Sequence, residues 1–325
     1  MTSARVLRAV RAAAAVGLAL AITTCRGPLP PPRAFSSALP AWRPGARFAV
    51  VGDVQRTGAI EFWRESNDEE RAVVIAAVAR DRPAFVAFTG DLVFNGGSAA
   101  SWADFDALAA PLHEALIPAF GALGNHDTWG DARGRHFFDR FPDLAGRHQH
   151  VAAFGPLRVV VVDSNVDAVG AAAWDAQRRW LDGTLAELDA DPAVRGVVLL
   201  AHHPPFTNST VTGDEAHVAE GLVPPFVAAR KTIALISGHV HSYERFERQG
   251  KVFVVSGGGG GPRARLATGD DRRHQDDRFD GPALRGFGFL LVSVDDGGID
   301  VELRGLPKGG RDVTTVDHFS LPFPP

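Results

Sequence analysis

The chain has 325 residues, of which 45% are hydrophobic and 22% are charged, so it can bury a full core and is neither disordered nor fibrous. Its formal net charge is −4 and it lacks blocks of Lys or Arg, which makes it a poor candidate for wrapping nucleic acid or for polybasic membrane docking. Its one cysteine, Cys25, excludes an intrachain disulfide and a cysteine-rich metal site.

The first 25 residues have the pattern of an export signal. Three arginines precede an apolar run over residues 12–22, which is too short to span a bilayer. Cys25 follows closely, and the arrangement resembles a bacterial lipoprotein signal, in which this cysteine is lipidated and becomes the mature N-terminus. We therefore predict an exported bacterial protein, periplasmic or anchored to the membrane by a lipid on Cys25. An ordinary signal peptide with an incidental cysteine is the alternative.

Residues 26–45 are Pro-rich and aperiodic, so we predict an extended tether there and one domain over residues 46–325. In that domain short apolar runs alternate with amphipathic ones, which indicates an α/β protein. The strand-like runs are Phe48–Val51, Ala84–Phe88, Ala119–Leu123, Leu157–Val162, Val197–Leu200, Thr232–Ile236, Val252–Val255, Phe287–Val294 and Ile299–Leu303. The helical runs are Glu69–Arg80, Ser101–Leu116, Trp174–Leu188 and Val218–Ala229.

Five of the strand-like runs lead directly into polar residues. These are Gly52-Asp53, Thr89-Gly90-Asp91, Gly124-Asn125-His126-Asp127, His202-His203 and Ser237-Gly238-His239. Taken singly each is weak evidence, because Gly-Asp after a strand is usually a turn and a lone His is more often packed or exposed than a ligand. Taken together they are informative, because ligands in open α/β sheets gather beyond the carboxyl ends of strands.

In chain order the motifs are Asp-x-Gln, Gly-Asp, Gly-Asn-His-Asp, His-x-Pro and Gly-His-x-His. This series, over residues 47–261, resembles the calcineurin-like metallophosphoesterase superfamily. The stretch Gly238–Arg245 looks very like that of its purple acid phosphatase branch. The resemblance implies a four-layer α/β/β/α sandwich of two mixed sheets, with a metal centre at one sheet edge.

The resemblance also implies that two metal ions are held by six matched residues, namely Asp53, Asp91, Asn125, His202, His239 and His241. Asp91 would bridge the ions, Asp53 and His241 would bind the first, and the other three would bind the second. Mn, Zn and Fe suit such a shell of histidines, carboxylates and an amide. Two cations about 3.5–4 Å apart can polarise a phosphoryl group and clamp the attacking and leaving oxygens.

His126 is the polar residue of these motifs that is not needed as a ligand. In the family this histidine faces the leaving group, so the resemblance implies that His126 protonates it after attack by a hydroxide that bridges the metals. We expect Asp127 to hold the His126 ring and to favour its charged form.

Two positions depart from the family pattern. Purple acid phosphatases have a Tyr three residues after the Asp of their Gly-Asp motif, where this chain has Phe94. Other branches have a His two residues after the first Asp, where this chain has Gln55. We predict that Gln55 donates its carbonyl oxygen, and that the site is not purple and holds its first metal more weakly than its second.

Substrate contacts are predicted at four positions, Asn95, His203, Arg133 and Arg135. The two arginines belong to residues 128–150, a segment rich in Arg and His that could contact a substrate's negative charge. A solvated charged face is the alternative for that segment. Four further histidines have no motif context and are treated as structural or exposed: His113, His217, His274 and His318.

The sequence therefore favours a phosphomonoesterase that acts on a small phosphate ester. A phosphodiesterase is the nearest alternative, because two-metal sites serve both reactions. A catalytically silent binding lipoprotein of the same fold is a third possibility. It would account for Gln55 and Phe94, but the retained Asp91 and His126 argue against it.

Overall fold

Two six-stranded mixed sheets pack face to face in the computed structural model, which describes residues 30–325. The first sheet has the order β12-β11-β10-β1-β2-β3 and the second has the order β4-β5-β6-β7-β9-β8. In chain order the strands are β1 (Ala46–Val51), β2 (Val86–Phe88), β3 (Ala119–Gly121), β4 (His150–Phe154), β5 (Leu157–Val161), β6 (Gly196–Leu200), β7 (Thr232–Ser237), β8 (Tyr243–Arg248), β9 (Lys251–Ser256), β10 (Phe287–Val294), β11 (Gly298–Leu306) and β12 (Thr314–Pro322).

Helices cover the outer face of each sheet. Val74 and Phe105 pack from one side on the first sheet, and Leu181 and Phe226 pack from the other side on the second sheet. The helices are α1 (Asp68–Asp81), α2 (Ala99–Leu108), α3 (Ala110–Glu114), α4 (Asn125–Thr128), α5 (Arg135–Arg140), α6 (Val166–Val169), α7 (Ala171–Ala190), α8 (Ala216–Gly221) and α9 (Val223–Ala228). The α/β/β/α sandwich implied by the sequence is confirmed. Within residues 30–325 we find no helix with the length and apolarity that crossing a bilayer requires.

The structure departs from the predicted elements in two ways. The helix predicted over residues 101–116 is two helices, because Pro111 has no backbone N–H with which to continue the first. In the same way Pro224 and Pro225 begin a new helix, α9, after α8. The strands that the sequence pattern does not predict, β4, β8 and β12, all lie at sheet edges. Charged and polar residues interrupt the apolar alternation in β8 and β12, and β4 is short and mostly only partly buried.

Part of the Pro-rich segment belongs to the domain. Phe35 is buried, and its ring stacks on that of His113 with centroids 3.9 Å apart. The prediction of a free tether over residues 26–45 is therefore wrong from Phe35 onward, because a buried aromatic side chain anchors the segment. The predicted export signal over residues 1–25 and the lipid attachment at Cys25 lie outside the described residues and stay predictions.

The sheet topology brings the sequence motifs together. Asp53, Asp91 and Asn125 follow β1, β2 and β3, which run parallel, and His202 and His239 follow β6 and β7, which also run parallel. The carboxyl ends of both sets of strands meet at one edge of the sandwich, which is where α/β proteins bind ligands.

Candidate metal centre

The first half of a side-chain cluster at this edge consists of Asp53, Asp91 and His241, whose candidate donor atoms all lie within 4.8 Å of one another. His241 Nε2 lies 3.5 Å from an oxygen of Asp53. The other ring nitrogen, Nδ1, donates a hydrogen bond to the carbonyl oxygen of Pro262 at 2.8 Å. This bond fixes the tautomer, so the lone pair of Nε2 faces the carboxylates.

The second half is built around Asn125. Its Oδ1 lies 3.0 Å from both His202 Nε2 and His239 Nδ1, and those two nitrogens are 3.3 Å apart. His202 Nε2 also lies 3.4 Å from an oxygen of Asp91, which links the two halves. His202 Nδ1 donates to the carbonyl oxygen of Thr89 at 2.8 Å, so that its Nε2 is the atom turned toward the cluster.

Gln55 is buried beside the first half. Its amide is satisfied when Nε2 donates to the backbone carbonyls of Asp53 at 3.2 Å and Asp91 at 2.9 Å. In that orientation Oε1 lies 3.1 Å from His241 Nε2, so the two atoms converge on one point. The structure thus brings together all seven residues that the sequence predicts as ligands.

The backbone is strained at three residues of the cluster. Asp53, Asp91 and His239 have φ values of 59°, 52° and 66°, in the left-handed region that non-glycine residues rarely adopt. Such a conformation costs about 1–3 kcal/mol and persists where the surrounding structure enforces it, often at functional sites. Gly90 allows the loops to approach closely, because a Cβ there would lie 2.6 Å from the backbone nitrogen of Gly124.

The charges of the cluster fit a metal site. Asp53 and Asp91 are buried, and no Lys or Arg of residues 30–325 pairs with either. Burial, together with repulsion from Asp91, raises the pKa of Asp53 well above its ordinary value. Burial lowers the pKa of His241 to about 4 and that of His239 to about 3, so both rings are neutral at pH 7, which is the form that binds metals.

His202 is the exception among these histidines. Burial is the largest influence and opposes its charged form, but the Asp91 and Asp53 carboxyl groups and the hydrogen bond to Thr89 together outweigh burial and raise the pKa of His202 to about 10. Because buried charges are stable only when they are paired or bind metals, this donor set fits two divalent cations.

His126 stands beside the cluster, but Asp127 does not hold its ring. The ring Nδ1 donates to the carbonyl oxygen of Phe94 at 2.7 Å, which leaves Nε2 free. The Asp127 carboxylate instead accepts from the backbone nitrogens of Gly124 at 2.9 Å and Leu92 at 2.8 Å. The expectation that Asp127 orients His126 is wrong, because this buried carboxylate is bound by backbone donors of two loops.

Phe94, at the position of the purple acid phosphatase tyrosine, belongs to an aromatic wall. Its ring centroid lies 5.2 Å from that of His126 and 5.4 Å from that of Trp129. Gly58 packs against the far end of the ring, where a Cβ on Gly58 would come within 2.2 Å of it. The wall borders the cluster on the His126 side.

A cavity of about 530 Å³ opens beside the second half of the cluster. Asn125 and His239 form part of its wall, and Trp129, which is 46% exposed, forms another part. His203 also lines it, and the ring Nδ1 of His203 lies 2.8 Å from Ser164 Oγ.

Two further residues of this cavity, Glu215 and His217, carry no motif and were not predicted as site residues. An oxygen of Glu215 lies 3.9 Å from His239 Nε2, on the side of the ring that faces away from Asn125. His217 Nε2 donates to the Ser164 carbonyl oxygen at 2.9 Å. His217, which the sequence analysis treats as structural or exposed, contributes its ring to the wall of the cavity.

The other predicted substrate residues do not line this cavity. The side chain of Arg135 is 76% exposed and pairs with Asp131 at 3.1 Å. Arg133 lines a separate cavity of about 550 Å³. Asn95 Oδ1 accepts from a backbone N–H of its own loop at 2.9 Å. Of the four, His203 is the one that lines the cavity beside the cluster.

Comparisons with known proteins agree with this geometry. A family model described as calcineurin-like phosphoesterase matches residues 46–243. The chain is 32% identical over 181 residues to a probable cyclic nucleotide phosphodiesterase of Rhodopseudomonas palustris, a match that covers 53% of this chain and 63% of the relative. It is 29% identical over 167 residues to a cAMP/cGMP dual specificity phosphodiesterase of Mycobacterium tuberculosis, covering 49% of each.

Both matches thus span less than two thirds of the relatives' own length. Among solved structures, a purple acid phosphatase from yellow lupin (Lupinus luteus) seeds superposes with a TM-score of 0.64 at 20% identity. That superposition covers 86% of this chain and 54% of the lupin chain, and it establishes a shared fold.

Proposed function

The chain belongs to the calcineurin-like phosphoesterase family and is a hydrolase, and on that premise we propose that it cleaves phosphodiesters with two metal ions. The charge of the cavity beside the cluster carries the proposal. Glu215 and Asp167 line this cavity, and its described lining contains no Lys or Arg. A phosphodiester brings one negative charge, whereas a phosphomonoester brings about −1.5 to −2 at pH 7. A cavity without cationic side chains therefore suits the diester better.

The names of both curated relatives, which are cyclic nucleotide phosphodiesterases, support the same class. The sequence pattern by itself favours a phosphomonoester, and the donor set does not separate the two reactions. The cavity is the feature that shifts the proposal from one substrate class to the other.

In this proposal Asp53, Gln55 and His241 would hold the first ion, and Asp91 would be shared with the second. Asn125, His202 and His239 would hold the second ion. The hydrogen bonds of the Gln55 amide support its role as a ligand. Its Nε2 donates to two backbone carbonyl oxygens, so its Oε1 faces the same point as His241 Nε2. When bound, the two cations supply Lewis-acid polarisation of the phosphoryl oxygens and lower the pKa of water. Mn, Zn and Fe are the candidates.

His126 is the proposed acid for the leaving group. Its backbone nitrogen donates to Asp91 Oδ1 at 2.8 Å, which fixes the residue at the edge of the cluster. Because Nδ1 donates its hydrogen bond to the Phe94 carbonyl oxygen, the proton for the leaving oxygen would come from Nε2. The Phe94 carbonyl therefore takes the orienting role that the sequence assigned to Asp127.

The test is a substrate panel with the purified chain in the presence of Mn, Zn or Fe. It compares an aryl phosphodiester with the matched aryl phosphomonoester, and adds cyclic and linear nucleotide diesters. We expect kcat/KM for the aryl diester to exceed that for the monoester at least tenfold. A preference for the monoester would reject the diester proposal, and absence of metal-dependent turnover on every substrate would reveal a silent binding protein.

A further inference from the structure

Three large apolar side chains are exposed on one short loop, residues 57–66. Ile60, Phe62 and Trp63 are 62%, 85% and 70% exposed, and the Phe62 and Trp63 rings touch edge to face with centroids 5.3 Å apart. These three, which we call the apolar tip, are among only eight large hydrophobic side chains exposed in residues 30–325. Single exposed hydrophobic residues are normal, but three within four positions mark an interaction site.

The stem of this loop is closed by hydrogen bonds. Thr57 Oγ1 donates to the carbonyl oxygen of Glu65 at 2.7 Å, which joins the two ends. Inside the loop, the Glu61 backbone nitrogen donates to the Gly58 carbonyl oxygen at 2.9 Å, and Arg64 pairs with the Glu61 carboxylate at 2.9 Å. The apolar tip is thus presented on a hydrogen-bonded support.

The charged groups around the apolar tip are already paired. Glu65 binds Arg263 at 2.8 Å, and Arg56 binds Asp68 at 2.8 Å. With Arg64 bound to Glu61, the described loop offers no uncompensated cation to an acidic partner. Attraction to the apolar tip must therefore be hydrophobic.

The size of the apolar tip distinguishes between partners. A stable protein interface, including that of a dimer, takes about 800 Å² and 20–30 residues from each side. Three side chains rimmed by paired charges fall far short of that. They suit a bilayer, because Trp and other large apolar residues partition into the membrane interface and gain from even shallow insertion. We propose that the apolar tip inserts into the surface of a lipid bilayer.

The loop also borders the metal centre. Arg64 Nη2 donates to the carbonyl oxygen of Pro262 at 2.7 Å, and the same oxygen accepts from His241 Nδ1 at 2.8 Å. At the other end of the loop, Gly58 packs on the Phe94 ring beside His126. Insertion of the apolar tip would hold the cluster close to the lipid headgroups, whatever ester is cleaved there.

The test is a fluorescent label placed on the apolar tip in the full-length chain. Because Cys25 is the chain's lone cysteine, Cys25→Ser leaves the protein without thiols and also prevents lipidation. Phe62→Cys in that background takes an environment-sensitive fluorophore while Ile60 and Trp63 stay in place. The matched control is Leu116→Cys, since Leu116 is 87% exposed but has no apolar neighbour on its own loop that is equally exposed.

With neutral phosphatidylcholine vesicles, we expect a blue shift and at least a twofold emission increase for the label at position 62. The label at position 116 should stay unchanged, and raising the salt concentration from 0.05 to 0.5 M should leave the response at position 62 intact. The local readout separates insertion of the loop from any binding by the N-terminal apolar run. Unchanged hydrolysis of a soluble ester by both labelled proteins would show that they are folded.

Three results would overturn the proposal. The first is no response at position 62, and the second is an equal response at position 116. The third is a response at position 62 that grows with protein concentration in the absence of vesicles, which would assign the apolar tip to contact with a second copy. None of these depends on which phosphate ester the metal centre cleaves.

Discussion

The two halves of the metal centre differ in the atoms that they offer. In the first half oxygen predominates, from the carboxylates of Asp53 and Asp91 and from Gln55 Oε1, with a single nitrogen from His241. In the second half two imidazole nitrogens stand beside one amide oxygen. Because oxygen donors suit harder cations and imidazole suits Zn, the difference indicates that the two ions need not be the same element. A harder, more exchangeable ion is expected in the first half.

Removing the shared ligand should have the largest effect, because it damages both halves at once. We expect Asp91→Ala to lower kcat/KM by about 10³-fold or more, since several kcal/mol of charge stabilisation depends on the pair of ions. Metal content measured by mass spectrometry should fall for both ions. Asp143→Ala is the matched control, because Asp143 is exposed and its carboxylate accepts hydrogen bonds from the backbone nitrogen and the hydroxyl group of Ser37. An Asp91→Ala protein with both metals and full activity would refute the shared role.

Removing the proposed acid should spare both halves and yet slow the reaction. We expect His126→Ala to lower kcat by about 10²–10⁴-fold while both metals stay bound. The loss should be much smaller for a nitrophenyl ester, whose leaving group needs no proton, than for an alkyl ester. His136→Ala, a change at a half-exposed histidine, should behave as the parent protein. Equal losses on both esters would remove His126 from the proton-transfer step.

The neutral amide ligands allow each half to be weakened separately. We expect Gln55→Ala to release the first metal and Asn125→Ala to release the second, each with an affinity loss of about tenfold or more. Graded chelator titration with metal analysis would show which element leaves in each variant. Gln55→His should reverse the first effect, since it restores a ligand that related branches use. Loss of the same element from both variants would show that the two halves do not act independently.

The smallest effect should come from a residue that contacts only the second half. A carboxylate oxygen of Glu215 lies 3.9 Å from His239 Nε2, and we expect it to move within hydrogen-bond distance and support the ring when a metal binds. We expect Glu215→Gln to weaken the second metal about tenfold and to leave the first unchanged. Glu220→Gln, at an exposed acid near the end of the helix that Glu215 precedes, is the control. A change in the first metal alone would contradict this assignment.

The local sequence pattern predicted the α/β class and the strand ends where the cluster lies, whereas the two-sheet sandwich and the choice of ligands came from the family resemblance. Each candidate ligand lies within four residues after the end of an apolar strand, and parallel strands deliver their carboxyl ends to one edge. Gln55 could be predicted as a candidate ligand in the same way, because it lies two residues after Asp53. The chain order of the motifs therefore contained most of the information about the cluster.

The remaining features depend on contacts between distant segments. Glu215 directly precedes α8 and His217 lies in its first turn, and no spacing links them to His239 or to Ser164. Asp127 lies next to His126 in sequence, yet its carboxylate binds backbone nitrogens on two loops. Phe35 lies in a segment whose composition is typical of a tether, and only its packing on the domain shows otherwise.

The left-handed turns at Asp53, Asp91 and His239 have a consequence for protein engineering. Grafting the ligand side chains onto another α/β scaffold would fail if ordinary strand ends received them, because the donor atoms would then point elsewhere. A functional graft must also transfer the tight glycine contact between Gly90 and Gly124, which leaves no room for a methyl group. A graft must therefore transfer the backbone conformation of these turns as well as the residue types that bind the metals.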